Sequence, residues 1–155
     1  MYHHHTAQTI SEEIVSQQYH FAVKPLLKVR ELRVVLCEDA DPVRARLAGM
    51  IGQIPRIRIA GEARDAQSSV KLIQKTRPEV AILDIKLPDG SGIDVLRRVK
   101  RDNPDLMVIM LTNHANALYR RACANAGAAY FFDKSAEFEK VSRVLADLAT
   151  QDGDD

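Results

Sequence analysis

Four places in this chain put a chemically active side chain directly after a run of apolar residues. LRVVLC (32–37) leads into Glu38-Asp39, VAIL (80–83) into Asp84, LMVIML (106–111) into Thr112, and AAYFF (128–132) into Asp133 and Lys134. A short, near-continuous apolar run reads as a strand buried on both faces. In open α/β sheets, ligands bind beyond the carboxyl ends of the strands. If these strands are neighbours, the carboxylates of Glu38, Asp39 and Asp84, the Thr112 hydroxyl and the Lys134 ammonium meet in one shallow site. Crowded carboxylates repel one another, and each pKa rises unless something neutralises the charge. A hard divalent cation does so. A few carboxylates with water and a backbone carbonyl suit Mg²⁺, whereas Zn²⁺ would call for His or Cys, which the cluster lacks. Such a site is also receptive to a phosphoryl group, and a carboxylate can itself be the nucleophile, giving an acyl phosphate. Thr112 could then donate to one phosphoryl oxygen and Lys134 pair with another.

A lone Asp after an apolar strand is ordinarily a loop start or a helix cap, and Asp41 and Asp65 are read in that way. The combination of four strand ends is the specific signal. The elements that must position these residues alternate along the chain. Asp41-Pro42 reads as an N-cap with Pro in the first turn, followed by an apolar helix face at Val43, Leu47, Met50, Ile51 and Ile54. RIRIA (56–60) alternates charged and apolar residues, as an edge strand does. Asp65 caps a helix with Val70 and Ile73, and Ser91 caps one with Ile93, Leu96 and Val99. A thinner helix is expected from His114 to Ala126, with Leu118 and Tyr119 as its large apolar residues and Gly127 as its stop. Ser135 is expected to cap a last helix bearing Phe138, Val141, Leu145 and Leu148. Five βα units in a row predict a doubly wound five-stranded parallel sheet with helices on both faces.

Composition narrows the function class. Net charge is +1, from 22 basic and 21 acidic residues, so nothing draws the whole chain to nucleic acid or a membrane surface. No apolar run approaches the ~20 residues of a membrane span. Cys37 and Cys123 form no metal-knuckle or disulfide spacing, and the N-terminus lacks a secretory pattern, so a cytoplasmic location is expected. Residues 1–31 read as a partly helical or disordered extension. Thr9-x-x-Glu12 fits a capping box, and His3-His4-His5 reads as tail rather than metal site. Residues 32–149 form the domain, and 150–155 an acidic flexible tail.

The motifs VVLCEDADPVR, AILDIKLPDGSGIDVL, VIMLTN and AGAAYFFDKS occur in that order. From Leu32 to Ala149 the chain resembles the receiver domain of bacterial two-component response regulators. The resemblance implies a flavodoxin-like fold with strand order 2-1-3-4-5, an order taken from the resemblance and not from the residues. It implies Asp84 as phospho-acceptor, supplied by a histidine kinase or phosphotransfer protein. It implies Mg²⁺ held by Asp39, Asp84 and the Lys86 carbonyl, with Glu38 acting through water. Thr112 and Lys134 would contact the phosphoryl oxygens, and Phe131 takes the position of the switch aromatic. Lys86 and His114 sit at positions that tune dephosphorylation rate. Asn113 stands where a small residue is usual, which would narrow phosphoryl access. Ser135 replaces a frequent proline after the lysine.

Only six residues follow Ala149, too few for a DNA-binding domain, so the sequence reads as a stand-alone receiver with no direct DNA binding. Its output would be a contact with a downstream protein. The helix face Phe138, Val141, Leu145 and Leu148 reads as core, and a phosphorylation-promoted homodimer through it as a hypothesis. Two rival readings remain. One is a receiver-like binding module working without phosphorylation, against which the intact cluster argues. The other is an aspartyl-phosphate phosphatase, which would carry a second Asp where Lys86 stands.

Overall fold

Alternate residues of β1 (Leu32–Cys37) face opposite sides: Val34 and Leu36 pack on one core, Val35 and Cys37 on the other. The same double burial covers β3 (Val80–Leu83) and most of β6 (Met107–Thr112). These strands, with β2 (Ile57–Ala63) and β7 (Tyr130–Asp133), pair in parallel in the order β2-β1-β3-β6-β7. A computed structural model describes residues 31–154. Its two remaining strands, β4 (Lys86–Leu87) and β5 (Gly90–Ser91), form a small antiparallel hairpin just after Asp84. With that hairpin set aside, the order is 2-1-3-4-5, as the resemblance implied. β2 is an edge, and its exposed Arg58 and Glu62 suit that place.

Helices α1 (Asp41–Ile51) and α5 (Lys140–Asp154) close one face of the sheet through Leu47, Ile51, Val141 and Leu145, joined by Phe138 from the turn before α5. Helices α2 (Ala66–Thr76), α3 (Gly92–Asp102) and α4 (Ala117–Asn125) close the other through Ile73, Leu96, Val99 and Cys123. Asp65 caps α2 as expected: its carboxylate accepts the Ser68 N–H at 2.7 Å while Ser68 Oγ accepts the Asp65 N–H. Ser91 caps α3, its Oγ accepting the Ile93 N–H at 3.1 Å. Gly127, with φ of 99°, follows the end of α4 in the left-handed region that glycine tolerates.

Several boundaries differ from the sequence reading. Asp41 does not cap α1. Ala40 occupies the cap position without a side-chain bond, and the Asp41 carboxylate pairs with Arg44 instead. Helix α4 starts at Ala117, capped by Asn116, whose Oδ1 accepts the Tyr119 N–H at 2.8 Å. Leu118, expected to pack, is 75% exposed, and Cys123 is the buried residue of that helix. Ser135 caps nothing. Asp133 takes its N–H and hydroxyl, and turns carry the chain to Lys140 before α5 begins. Helix α5 then runs through Asp154, so the segment read as an acidic tail is largely helical. The capping-box and His-run readings lie outside the described residues. Among the described residues, no helix is long and apolar enough to cross a membrane.

Candidate functional site

Strand register brings the site together. Cys37 pairs with Leu83, so the residues that follow, Glu38 and Asp84, emerge side by side, and the Asp84 N–H donates to the Cys37 carbonyl at 3.2 Å. Two strands away, Thr112 pairs with Asp133, and the Lys134 N–H donates to the Thr112 carbonyl at 2.9 Å. Lys134 then reaches back across the strand ends. Its Nζ donates to Glu38 Oε2 and to Asp84 Oδ2, both at 2.8 Å. The second oxygens are also held: Asp84 Oδ1 accepts the Ile85 N–H at 2.7 Å, and Glu38 Oε1 accepts the Ala40 N–H at 3.2 Å. Carboxylate oxygens of Glu38, Asp39 and Asp84 lie within 4.8 Å of one another. The site is deeper than the sequence suggested, with Asp84 6% and Lys134 9% exposed; Asp39 is the most open of the three acids.

Burial pushes the Glu38 carboxyl up, the Lys134 hydrogen bond pulls it part of the way back, and the neighbouring Asp84 charge adds to the rise. Burial also opposes the Lys134 ammonium, but hydrogen bonds to Asp84 and Glu38 outweigh it and hold that pKa above its usual value. Three carboxylates against one ammonium leave excess negative charge among oxygen-only donors. That donor set fits a hard divalent cation and not a soft one.

Other expected residues are placed as follows. Thr112 is fully buried; its Oγ1 accepts the His114 N–H at 3.1 Å, and it makes no bond to the acidic cluster. The side chains of Lys86, Asn113 and His114 are exposed around the strand ends. Phe131 is half-buried, with the Arg120 guanidinium 4.7 Å over its ring.

Three residues that join elements around the site escaped the sequence reading. Gly92 begins α3 against the backbone of the Asp84–Ile85 loop: its N–H donates to the Ile85 carbonyl at 2.6 Å, and a Cβ there would collide with the Asp84 carbonyl. Arg44 donates through Nη1 to the Glu38 carbonyl at 2.8 Å, tying α1 to the end of β1. The Asp89 carboxylate binds the start of α2. The glycine after Ser91 was visible as a small residue near an N-cap. The other two depend on contacts across elements that no local pattern announces.

Residues 34–146 match the response regulator receiver domain family. The chain belongs to that family. Its receiver domain is 30% identical over 117 residues to the DNA-binding transcriptional activator DevR/DosR of Mycobacterium tuberculosis, covering 76% of this chain and 54% of the relative. It is 29% identical over 110 residues to the response regulator UvrY of Escherichia coli, covering 71% and 50%. The chain thus spans about half the length of these curated relatives. Among solved structures it resembles the response regulator domain of Thermotoga maritima CheB, with a TM-score of 0.69 at 26% identity, covering 81% of this chain and 98% of the other. The receiver domain of RcsB from Salmonella enterica shares the fold with a TM-score of 0.72 at 23% identity, covering 78% and 90%. The phosphoryl-accepting signalling class expected from the motifs is the class of this family.

Proposed function

We propose that Asp84 is the phosphoryl acceptor of this receiver domain. The observation that carries the reading is the Lys134 ammonium shared at 2.8 Å between Asp84 and Glu38, at the end of a buried strand and within the acidic cluster. The donor is a phosphohistidine on a histidine kinase or phosphotransfer protein. An Asp84 carboxylate oxygen attacks phosphorus, the new O–P bond forms as the P–N bond breaks, and the imidazole leaves with the electron pair. Glu38, Asp39, Asp84 and the Lys86 carbonyl would hold Mg²⁺, which neutralises charge on the phosphoryl oxygens during the transfer. Lys134 supplies a fixed positive charge beside the acceptor. The Thr112 hydroxyl accepts from His114 and so keeps its own proton free to donate to a phosphoryl oxygen.

The added charge gives Lys134 and Thr112 a new partner, and the differential contacts bias Phe131 and α4 towards a second arrangement. A downstream protein partner would read that surface. The exposed side chains of Lys86, Asn113 and His114 border the path of a hydrolytic water and tune the lifetime of the acyl phosphate.

Intact mass measured after incubation with Mg²⁺ and a small phosphodonor tests the acceptor. A labile phosphoryl adduct is expected on the wild type and none on Asp84→Asn. An adduct that survives the substitution overturns the assignment, and a wild type that takes no phosphoryl group favours a binding module that works without phosphorylation.

A further inference from the structure

Asp89 lies three residues beyond Lys86 and looks, in sequence, like part of the turn that leads the chain away. Its carboxylate reaches another element. Oδ1 accepts the Ala66 N–H at 2.5 Å and Oδ2 the Gln67 N–H at 3.0 Å. Asp65 takes the next donor, from Ser68, so two aspartates satisfy three consecutive free N–H groups at the start of α2. A carboxylate there is further favoured by the helix dipole. The Gln67 and Ala66 amides hold the Asp89 carboxyl below its ordinary range.

This clasp joins two rigid parts. On one side, the hairpin pairs Lys86 with Ser91 and Leu87 with Gly90, and Gly92 donates to the Ile85 carbonyl. On the other side, α2 is packed against β1. Ser69 is fully buried, its hydroxyl donates to the Asp65 carbonyl at 2.6 Å, and Ile73 of the same helix packs in one apolar core with Cys37, the residue before Glu38. A closed path therefore runs from the base of Glu38 through α2 and Asp89 to the hairpin that carries Lys86.

We propose that Asp89 is a positioning residue: by clasping the start of α2, it sets the Lys86 backbone carbonyl where a divalent cation held by Glu38, Asp39 and Asp84 takes it as a ligand. The proposal rests on the acceptor-site reading above. Asp89 touches neither the cation nor the phosphoryl group; it acts through the loop.

The test compares Asp89→Ala, Asp89→Asn and Asp65→Ala in the full 155-residue chain. Mg²⁺ alone is titrated by calorimetry, and the initial rate of adduct formation is followed against Mg²⁺ with a small phosphodonor. Asp89→Ala should weaken Mg²⁺ binding about tenfold, the scale of losing support behind a ligand, while the rate at saturating Mg²⁺ stays within about twofold. Asp89→Asn keeps one acceptor oxygen, should recover part of the affinity, and carries the test if the alanine variant fails to fold. Asp65→Ala removes a cap from the same helix and should lower thermal stability while leaving Mg²⁺ affinity within about twofold of wild type. A folded Asp89 variant with wild-type Mg²⁺ affinity overturns the proposal. So does an Asp65→Ala loss equal to that of Asp89→Ala, because helix stability alone would then account for both. If the wild type binds Mg²⁺ but takes no phosphoryl group, the acceptor reading falls, and the Mg²⁺ titrations still decide the role of Asp89.

Discussion

Helices α2 and α3 are tied down at the joints near the site, and α4, on the same face of the sheet, is held by far less apolar packing. Helix α3 spans 11 residues, buries Gly92, Ile93, Val95, Leu96 and Val99, and is capped by Ser91. Helix α4 spans nine residues and buries Cys123, while Leu118 points to solvent. Between α4 and α5, Phe131 is half-buried under Arg120, and Tyr130 is 38% exposed. The difference matches what each region would have to do. On the function proposed above, Asp84 would need a fixed place for in-line attack, whereas an output surface would need an element whose two arrangements differ little in free energy. Thin apolar packing keeps local stability low, which makes α4 the natural element to move.

The largest expected effect comes from removing matching leucines in the two regions. Leu96→Ala should cost about 2–5 kcal/mol, because that side chain is fully buried. Leu118→Ala should stay within about 0.5 kcal/mol, as for other surface positions. Urea unfolding of both variants reads the contrast directly, and equal losses would erase the difference between the two helices. Next comes Gly92→Ala. A methyl group there meets the Asp84 carbonyl, so about 1–3 kcal/mol of destabilisation is expected, together with slower phosphoryl uptake at Asp84. A neutral substitution would show that the Asp84–Ile85 loop is free to shift, contrary to the rigid side of the comparison.

A smaller effect belongs to the thinly packed α4 region. Arg120 covers the Phe131 ring and approaches Glu137 at 3.4 Å. Arg120→Ala should cost about 0.5–1 kcal/mol and broaden the Phe131 ring signals in NMR spectra. Unaltered spectra would mean that Arg120 does not restrain the aromatic. The smallest effect is a pH dependence. Hydrogen bonds from Lys140 and the Asp133 N–H hold the Glu137 carboxyl down at about 2. Its folded pKa lies below the unfolded value, so its contribution is full above about 4.5 and is lost as pH falls towards 2. Thermal midpoints of wild type and Glu137→Gln should therefore differ at neutral pH and converge through that window. Glu38 shifts in the opposite direction, so a parallel loss in both proteins would point to groups other than Glu137.

The sheet and the candidate site were legible to different depths. The central strands and their terminal residues could be read because an apolar run ends where the chain meets the first side chain that resists burial. That placed Glu38, Asp84, Thr112 and Lys134 at strand ends, while the adjacency of those strands followed from the resemblance and not from the residues. Ser135 misled because hydroxyl residues serve turns as well as helix caps, and Asp133 competed for it. Leu118 misled because a short helix has too few apolar positions to fix its face by periodicity.

By itself, the sequence determined the alternation of buried strands and amphipathic helices, and with it which carboxylates stand at the sheet's carboxyl edge. Those features follow from local periodicity and from the cost of burying charge. Tertiary structure alone decided that Lys134 bridges Glu38 and Asp84, that Gly92 must lack a side chain, and that Asp89 clasps a helix 22 residues upstream of it. Each of these depends on distances between elements far apart in the chain. Such distances are set by packing and strand order, and no local run of residues encodes them.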